Sequence, residues 1–390
     1  MISFTKLLLD REHFGDRLRY GRGGSAPAGA APGMGPVVVW NSTRACNLAC
    51  RHCYASASAG RAEDELTTEE GRTFLESLAR LRVPAVLMSG GEPLMREDIF
   101  DLLEYGASLG LRMVLSTNGT LIDSTAAARL RAAGVSYAGI SLDGLEEVND
   151  SFRGVKGAFE KTLAAFRHCR AAGQKAGLRL SLTRSTAREL PAIFRLVEEE
   201  GISRVCLYHL VSAGRGEEIQ EEDLSMEERR EALDFLMEKT LEFGARGVET
   251  EILTVDNHSD GVYLFLKMRD RDPGRAERIF SLLSRSGGNR SGVAIGAVDW
   301  AGNVTIDQFT RSIILGNVRE RDFGEIWQGE GDEFLVRLRD RKRHITGRCG
   351  DCRWLDQCNG SLRARALAAG DFWGPDPGCC LTDDEIGLQG

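Results

Sequence analysis

Eight of the ten cysteines in this 390-residue chain fall into two groups. Cys46, Cys50 and Cys53 stand in "TRACNLACRHCYA" with the spacing Cys-x3-Cys-x2-Cys. A structural zinc site usually takes four ligands in two paired knuckles, so three thiolates on one short loop are unusual for zinc. They suit three corners of a cubane iron–sulfur cluster and leave one iron open to a small molecule. The second group is Cys349, Cys352 and Cys358, followed by the adjacent pair Cys379 and Cys380. Four thiolates there can fully ligate a second iron–sulfur cluster or a zinc ion, and spacing alone does not decide between them. Cys379 and Cys380 are neighbours in sequence, so only one of them is expected on a shared metal site. Cys169 and Cys206 lie in helix and strand patterns and read as core residues.

The elements that would carry these loops follow one repeating pattern. "VVVW", "AVLMS", "RMVLST", "YAGISL", "LRLSLT" and "RVCLYHL" are short apolar runs that read as six strands. Helical stretches separate them, the first being "LTTEEGRTFLESLARL", where Thr67 and Glu70 are spaced as a capping box. Alternation of this kind implies parallel strands with right-handed crossovers, as an open sheet or a partial barrel. In either fold the chemistry gathers at the strand C-terminal ends, which is where the first cysteine group stands. Past Leu210 the pattern breaks. Met226–Phe243 reads as a helix, and Gly292–Phe309 as a hairpin turning at Ala301, Gly302 and Asn303. The expected divisions are therefore 1–36, an extension with a flexible Gly/Ala/Pro stretch over Gly21–Gly35; 37–215, the strand–helix units; 216–290, a helical connector; and 291–390, the second cysteine module.

Composition narrows the setting. The net charge is -8 and no long basic block occurs, so nucleic acid is not an expected partner. No run of about 18 apolar residues exists, so no membrane span is expected. The first 20 residues lack the apolar length and cleavage site of a signal peptide, and with cysteines grouped as for metal this points to the cytoplasm.

"CNLACRHC" resembles the cluster-binding loop of the radical S-adenosylmethionine enzymes. "SGGEPLM" (Ser89–Met95) after the second strand resembles their methionine-binding motif, and "STNGT" and "SLDG" end the third and fourth strands in the same manner. The resemblance implies a partial (β/α)6 barrel with a C-terminal auxiliary iron–sulfur domain of the SPASM/twitch kind. It implies two [4Fe–4S] clusters, one on Cys46, Cys50 and Cys53, with S-adenosylmethionine on the open iron. Cys349, Cys352, Cys358 and Cys379 would hold the other, with Cys379 preferred over Cys380 because relatives with "DP-x-C" keep that position. Gly90 and Gly91 would permit close backbone approach to the ligand, and Glu92 would hold its ammonium. Ser116, Asn118, Ser141 and Asp143 would face ribose and methionine. Arg153 matches a position that meets the methionine carboxylate, and His52 one that carries a group near adenine.

At a finer level the chain resembles the sirohaem-modifying branch, through "PVVVWNSTRACNLACRHCYA", "DGVYLFLKM", "SGGNRSGV", "GNVRERDFGEIW" and "GDFWGPDPGCCLTDDEIG". The implied substrate is 12,18-didecarboxysirohaem, losing its two acetates. The implied electron source is a low-potential donor such as ferredoxin or flavodoxin. "FRGVKGAFE" and "EILTVDNHSDGVYL" lean toward acetate removal rather than the propionate removal of haem d1 biosynthesis. The candidates for substrate contact or proton donation are Arg215, a cation for the carboxylates, with Tyr208, His209 and His258. A peptide-modifying radical enzyme shares this C-terminal layout, and an electron carrier would share the cysteines without the other motifs.

Overall fold

The computed structural model describes residues 1–21, 28–329 and 331–388. Part of the Gly21–Gly35 stretch, residues 22–27, lies outside the described residues. The remainder is turn held against the body: Trp327 Nε1 donates to the Ala28 carbonyl at 3.0 Å, and Gly35 N to that of Leu81 at 2.9 Å.

The strands are β1 (Ile2–Ser3), β2 (Val37–Thr43), β3 (Val86–Gly90), β4 (Met113–Thr117), β5 (Tyr137–Ser141), β6 (Ala176–Leu182), β7 (Arg204–His209), β8 (Glu251–Val255), β9 (Ile295–Val298), β10 (Asn303–Thr305) and β11 (Ile314–Asn317). They form one sheet in the order β1-β8-β7-β6-β5-β4-β3-β2-β9-β10-β11. From β2 to β7 every neighbouring pair is parallel, as the alternating pattern predicts. Side chains from β2 (Val39), β3 (Leu87, Ser89), β4 (Ser116), β5 (Ser141), β6 (Arg179) and β7 (Tyr208) line one cavity, so these six strands curl around a common interior. This is the partial barrel that the strand–helix alternation predicts, with the second cysteine module following it in the chain.

The crossover helices bury their apolar faces against the outside of the sheet. The helix Thr68–Arg80 opens on the expected capping box, with Thr67 Oγ1 accepting from Glu70 N and Glu70 Oε2 accepting from Thr67 N. Its Phe74, Leu75 and Leu78 are buried with Trp40, and Trp40 and Phe74 meet edge to face at 5.2 Å.

Two features depart from the pattern read in the sequence. Residues 216–290 are not only helical: Glu251–Val255 is a seventh parallel strand, fully buried and paired to β7, and the helix Met226–Arg246 is its crossover. The N-terminal segment also joins the sheet, since β1 pairs antiparallel with β8. Both strands are short, and their partners are distant in sequence. The hairpin expectation is met: β9 and β10 are antiparallel, and Asp299 Oδ1 accepts from Ala301 N at 3.0 Å and Asn303 N at 2.9 Å.

Arg96 pins the end of β2. Its side chain is wholly buried, donating from Nη1 to Ser42 O and from Nη2 to Leu66 O, both at 2.8 Å. Its counter-charge is Asp98 at 2.6 Å, which also accepts from Thr68 Oγ1 at 2.6 Å. Despite burial, hydrogen bonds from Arg96 and Thr68 hold the Asp98 carboxyl below its usual 3.8. A depressed carboxyl stabilises the fold above its unfolded pKa and loses that effect as pH falls through the folded one. Asp98→Asn should therefore cost roughly 2 kcal/mol in urea unfolding at pH 7. The gap to wild type should hold down to pH 3.8 and close only below it.

Candidate active site

The first cysteine loop leaves β2 at Thr43 and is held from three sides. Cys46 N donates to Ser58 O at 2.7 Å, closing the loop on itself. Ala49 N and Arg51 N donate to Arg153 O and Phe152 O at 3.1 and 3.0 Å, tying it to the helix Glu146–Arg153. Gly91 N and Glu92 N donate to Thr43 O and Ala45 O at 2.8 and 2.7 Å, tying it to the end of β3. Gly90 has φ +133, and a Cβ there would stand 2.4 Å from Thr43 O. At Gly91 a Cβ would stand 2.1 Å from Ala45 O. The close approach these glycines permit is thus to the cysteine loop's own backbone.

Cys46 and Cys50 are buried and Cys53 is half-buried. Burial pushes the Cys46 thiol up to about 12 and raises Cys50. Thiols so placed are poor free nucleophiles but good metal ligands, because a bound metal takes them as thiolates. Asn118 Nδ2 lies 3.9 Å from Cys46 Sγ and donates to Asn47 Oδ1 at 2.9 Å. Arg153 Nη1 lies 3.5 Å from Cys50 Sγ.

Glu92 is wholly buried. Its carboxylate accepts from Leu94 N at 3.1 Å, Thr117 Oγ1 at 2.8 Å and Asn118 N at 2.7 Å, while burial raises its pKa to about 6. It braces β3 against β4 beneath the loop. Asp143 is wholly buried, pairs with the Arg153 guanidinium and accepts from Ser181 N at 2.5 Å. His52 stacks on Phe152 with ring centroids 4.4 Å apart, and burial lowers it to about 4, so it is neutral at pH 7. Its Nδ1 is buried and unpartnered.

Against this loop opens a cavity at the C-terminal ends of the parallel strands. His52, Ser116, Ser141, Arg153, Tyr208 and His209 line it, so the structure gathers these expected residues into one place. The wall also holds three groups that the sequence reading passed over. Arg179 donates to Tyr208 Oη at 2.8 Å and to Ser116 Oγ. Asp256 has φ 67, an unpartnered buried Oδ2 and a pKa raised by burial to about 6. Phe309 forms an aromatic edge with Tyr54 at 5.3 Å. His209 Nε2 is 2.8 Å from Asp260 Oδ2, which fixes the ring.

Two expectations are corrected. Arg215 does not face the cavity: its Nε donates to Cys50 O at 2.9 Å and its Nη1 to Ala57 O at 2.7 Å, so it braces the cysteine loop. His258 also lies outside the cavity wall. It caps the helix Ser259–Arg271 with its backbone N on Ser361 Oγ at 3.1 Å, and burial keeps it neutral.

In the second group, Cys349, Cys352, Cys358 and Cys379 are all half-buried, and burial raises the first three thiols. Cys380 turns the other way, into the core, with its Sγ 3.4 Å from Ser259 Oγ. The segment between is set by Asp376, wholly enclosed, which accepts from Arg365 Nε at 2.8 Å and from Leu362 N and Gly378 N at 2.9 Å. Arg365 also donates to Asp256 O at 2.7 Å, linking this module to the cavity wall.

Residues 40–197 match the radical SAM superfamily, and 295–353 match SPASM, an iron–sulfur cluster-binding domain. The chain is 48% identical over 395 residues to Fe-coproporphyrin III synthase of Methanosarcina barkeri, covering 99% of each. It is 41% identical to pre-heme d1 synthase of Dinoroseobacter shibae, over 90% of this chain and 88% of that one. Among solved structures, Streptococcus suis SuiB bound to precursor peptide SuiA aligns with a TM-score of 0.71 at 16% identity. That alignment covers 90% of this chain and 76% of SuiB, and what the two share is the fold.

Proposed function

The chain belongs to the radical S-adenosylmethionine family and carries an auxiliary iron–sulfur domain, and from that premise we propose that it removes the two acetate side chains of 12,18-didecarboxysirohaem to give iron-coproporphyrin III. The observation that carries this reading is the 48% identity to Fe-coproporphyrin III synthase over 99% of both chains.

The residues fit the family's cofactors, two [4Fe–4S] clusters and S-adenosylmethionine. Cys46, Cys50 and Cys53 would hold one cluster, and Cys349, Cys352, Cys358 and Cys379 the other. When bound, the first cluster and S-adenosylmethionine together supply the radical that takes a hydrogen atom from the substrate. Arg153 is placed beside Cys50 to meet the methionine carboxylate, and Asp143 fixes its orientation. Neutral His52 offers its free Nδ1 to the adenine, and Ser116 and Ser141 offer hydroxyls to the ribose. Asn118 and Glu92 act behind them, by holding the loop. Tyr54 and Phe309 give the cavity an apolar edge for a macrocycle, while His209, fixed by Asp260, is the candidate proton donor. Acetate loss restores ring conjugation, a driving force for breaking a carbon–carbon bond at a saturated ring carbon. The electron would come from a low-potential donor such as ferredoxin or flavodoxin.

The test is anaerobic turnover of 12,18-didecarboxysirohaem with S-adenosylmethionine and a strong reductant, followed by mass spectrometry. The expected product has lost both acetates and kept all four propionates. Loss of propionates would assign the haem d1 reaction instead. An unchanged tetrapyrrole, together with hydrogen abstraction from a peptide, would overturn the reading.

A further inference from the structure

Two guanidinium groups line the cavity, and only one is neutralised. Arg153 pairs with Asp143. Arg179 has hydroxyl partners only: Nε and Nη2 donate to Tyr208 Oη, and Nη1 donates to Ser116 Oγ. Among the described residues no carboxylate pairs with it. A cation withdrawn from water is costly unless something compensates it. A tyrosine ring 4.8 Å below the guanidinium carbon compensates in part.

The placement is built into the sheet. Arg179 lies on β6 and reaches across β5 to Ser116 on β4. The residue it crosses is Gly139, where a Cβ would stand 2.6 Å from Arg179 Cδ. A side chain at 139 would force the Arg179 side chain to shift. Tyr208 on β7 fixes it from the other side. A guanidinium has five N–H donors, and the Tyr208 and Ser116 contacts leave one on each terminal nitrogen. A ligand carboxylate can accept from these remaining donors.

From this juxtaposition of an uncompensated guanidinium, a glycine that admits it and a cavity shared with the cysteine loop, we infer that Arg179 is the specificity residue that grips the carboxylate of the acetate being removed. The inference rests on the proposed tetrapyrrole reading. It commits to the acetate rather than a propionate because Arg179 lies inside the barrel and lines the same cavity as His52, Ser141 and Arg153. The group that must leave has to enter that cavity.

The test is equilibrium binding to the reconstituted enzyme, under anaerobic conditions with S-adenosylmethionine present. The ligands are 12,18-didecarboxysirohaem, its acetate methyl diester, and iron-coproporphyrin III, which keeps the propionates and lacks the acetates. Wild type should bind the free acid roughly ten- to hundredfold more tightly than either of the others, the ratio expected of one charge-assisted pair. In Arg179→Gln that ratio should collapse toward one, and Arg179→Lys should restore part of it. A wild-type enzyme that binds diester and free acid equally would overturn the assignment, and it needs no variant to fold. So would an Arg179→Gln enzyme that keeps the full ratio, or one whose affinity for S-adenosylmethionine falls as far as its affinity for the tetrapyrrole. A wild-type enzyme that binds no tetrapyrrole at all would bring down the functional reading and this inference with it.

Discussion

Replacing Cys46, Cys50 and Cys53 together with alanine should bring 5'-deoxyadenosine formation below detection and remove about four irons from the reconstituted protein. The effect is expected to be total because the three thiols share one loop and no other described cysteine joins their cluster of buried side chains. The second group, Cys349, Cys352, Cys358 and Cys379, stands some 300 residues further along the chain, outside that cluster. The triple variant should therefore keep the spectrum of one cubane cluster after anaerobic reconstitution. Cleavage of S-adenosylmethionine by the variant would contradict the first assignment. Loss of all iron would contradict the second.

Arg153→Met should destabilise the apoprotein by about 3–5 kcal/mol in anaerobic urea unfolding, because it strands a carboxylate inside the protein. Asp143 is wholly buried, and Arg153 supplies its counter-charge. The helix end that carries Arg153 also receives two backbone hydrogen bonds from the cysteine loop, so disturbance there reaches Cys50. Adding Asp143→Asn to Arg153→Met removes both charges and should recover part of the loss. If the single variant is as stable as wild type, the pair does not anchor the loop.

Much of this site is legible in the sequence because its parts are local. Three thiols within eight residues, two glycines before a glutamate, and Ser or Asp at successive strand ends all keep their meaning without knowledge of the tertiary fold. The capping box at Thr67 and the Asp299 hairpin turn are local in the same sense. What the sequence hides is long-range. Arg179 sits in "LRLSL", where alternation alone reads as a strand with one polar face, and only closure of the sheet turns that face into a cavity wall. The one local hint is the pair Gly139 and Gly177 on adjacent strands, facing each other in register and leaving room above the sheet. Arg215 carried a cation close to the strand ends, yet the loop's own carbonyls claim it. β8 was missed for a related reason: "EILTV" is too short to stand out from the helices around it, and its burial comes from β7 on one side and β1 on the other.

The central claim is that a radical generated at the cysteine loop acts on an acetate of a tetrapyrrole. The expected site of abstraction is the saturated ring carbon beside each acetate-bearing carbon. The ring–acetate bond lies β to a radical there, so its scission leaves the new ring double bond. The departing carboxymethyl radical takes one electron from the low-potential donor and one proton to become acetate. The most direct measurement is turnover of 12,18-didecarboxysirohaem carrying deuterium on the two saturated ring carbons beside the acetate-bearing carbons, with mass analysis of the 5'-deoxyadenosine formed. Deuterium should appear in the 5'-deoxyadenosine as iron-coproporphyrin III accumulates. Formation of that product with no deuterium in the 5'-deoxyadenosine would contradict the account.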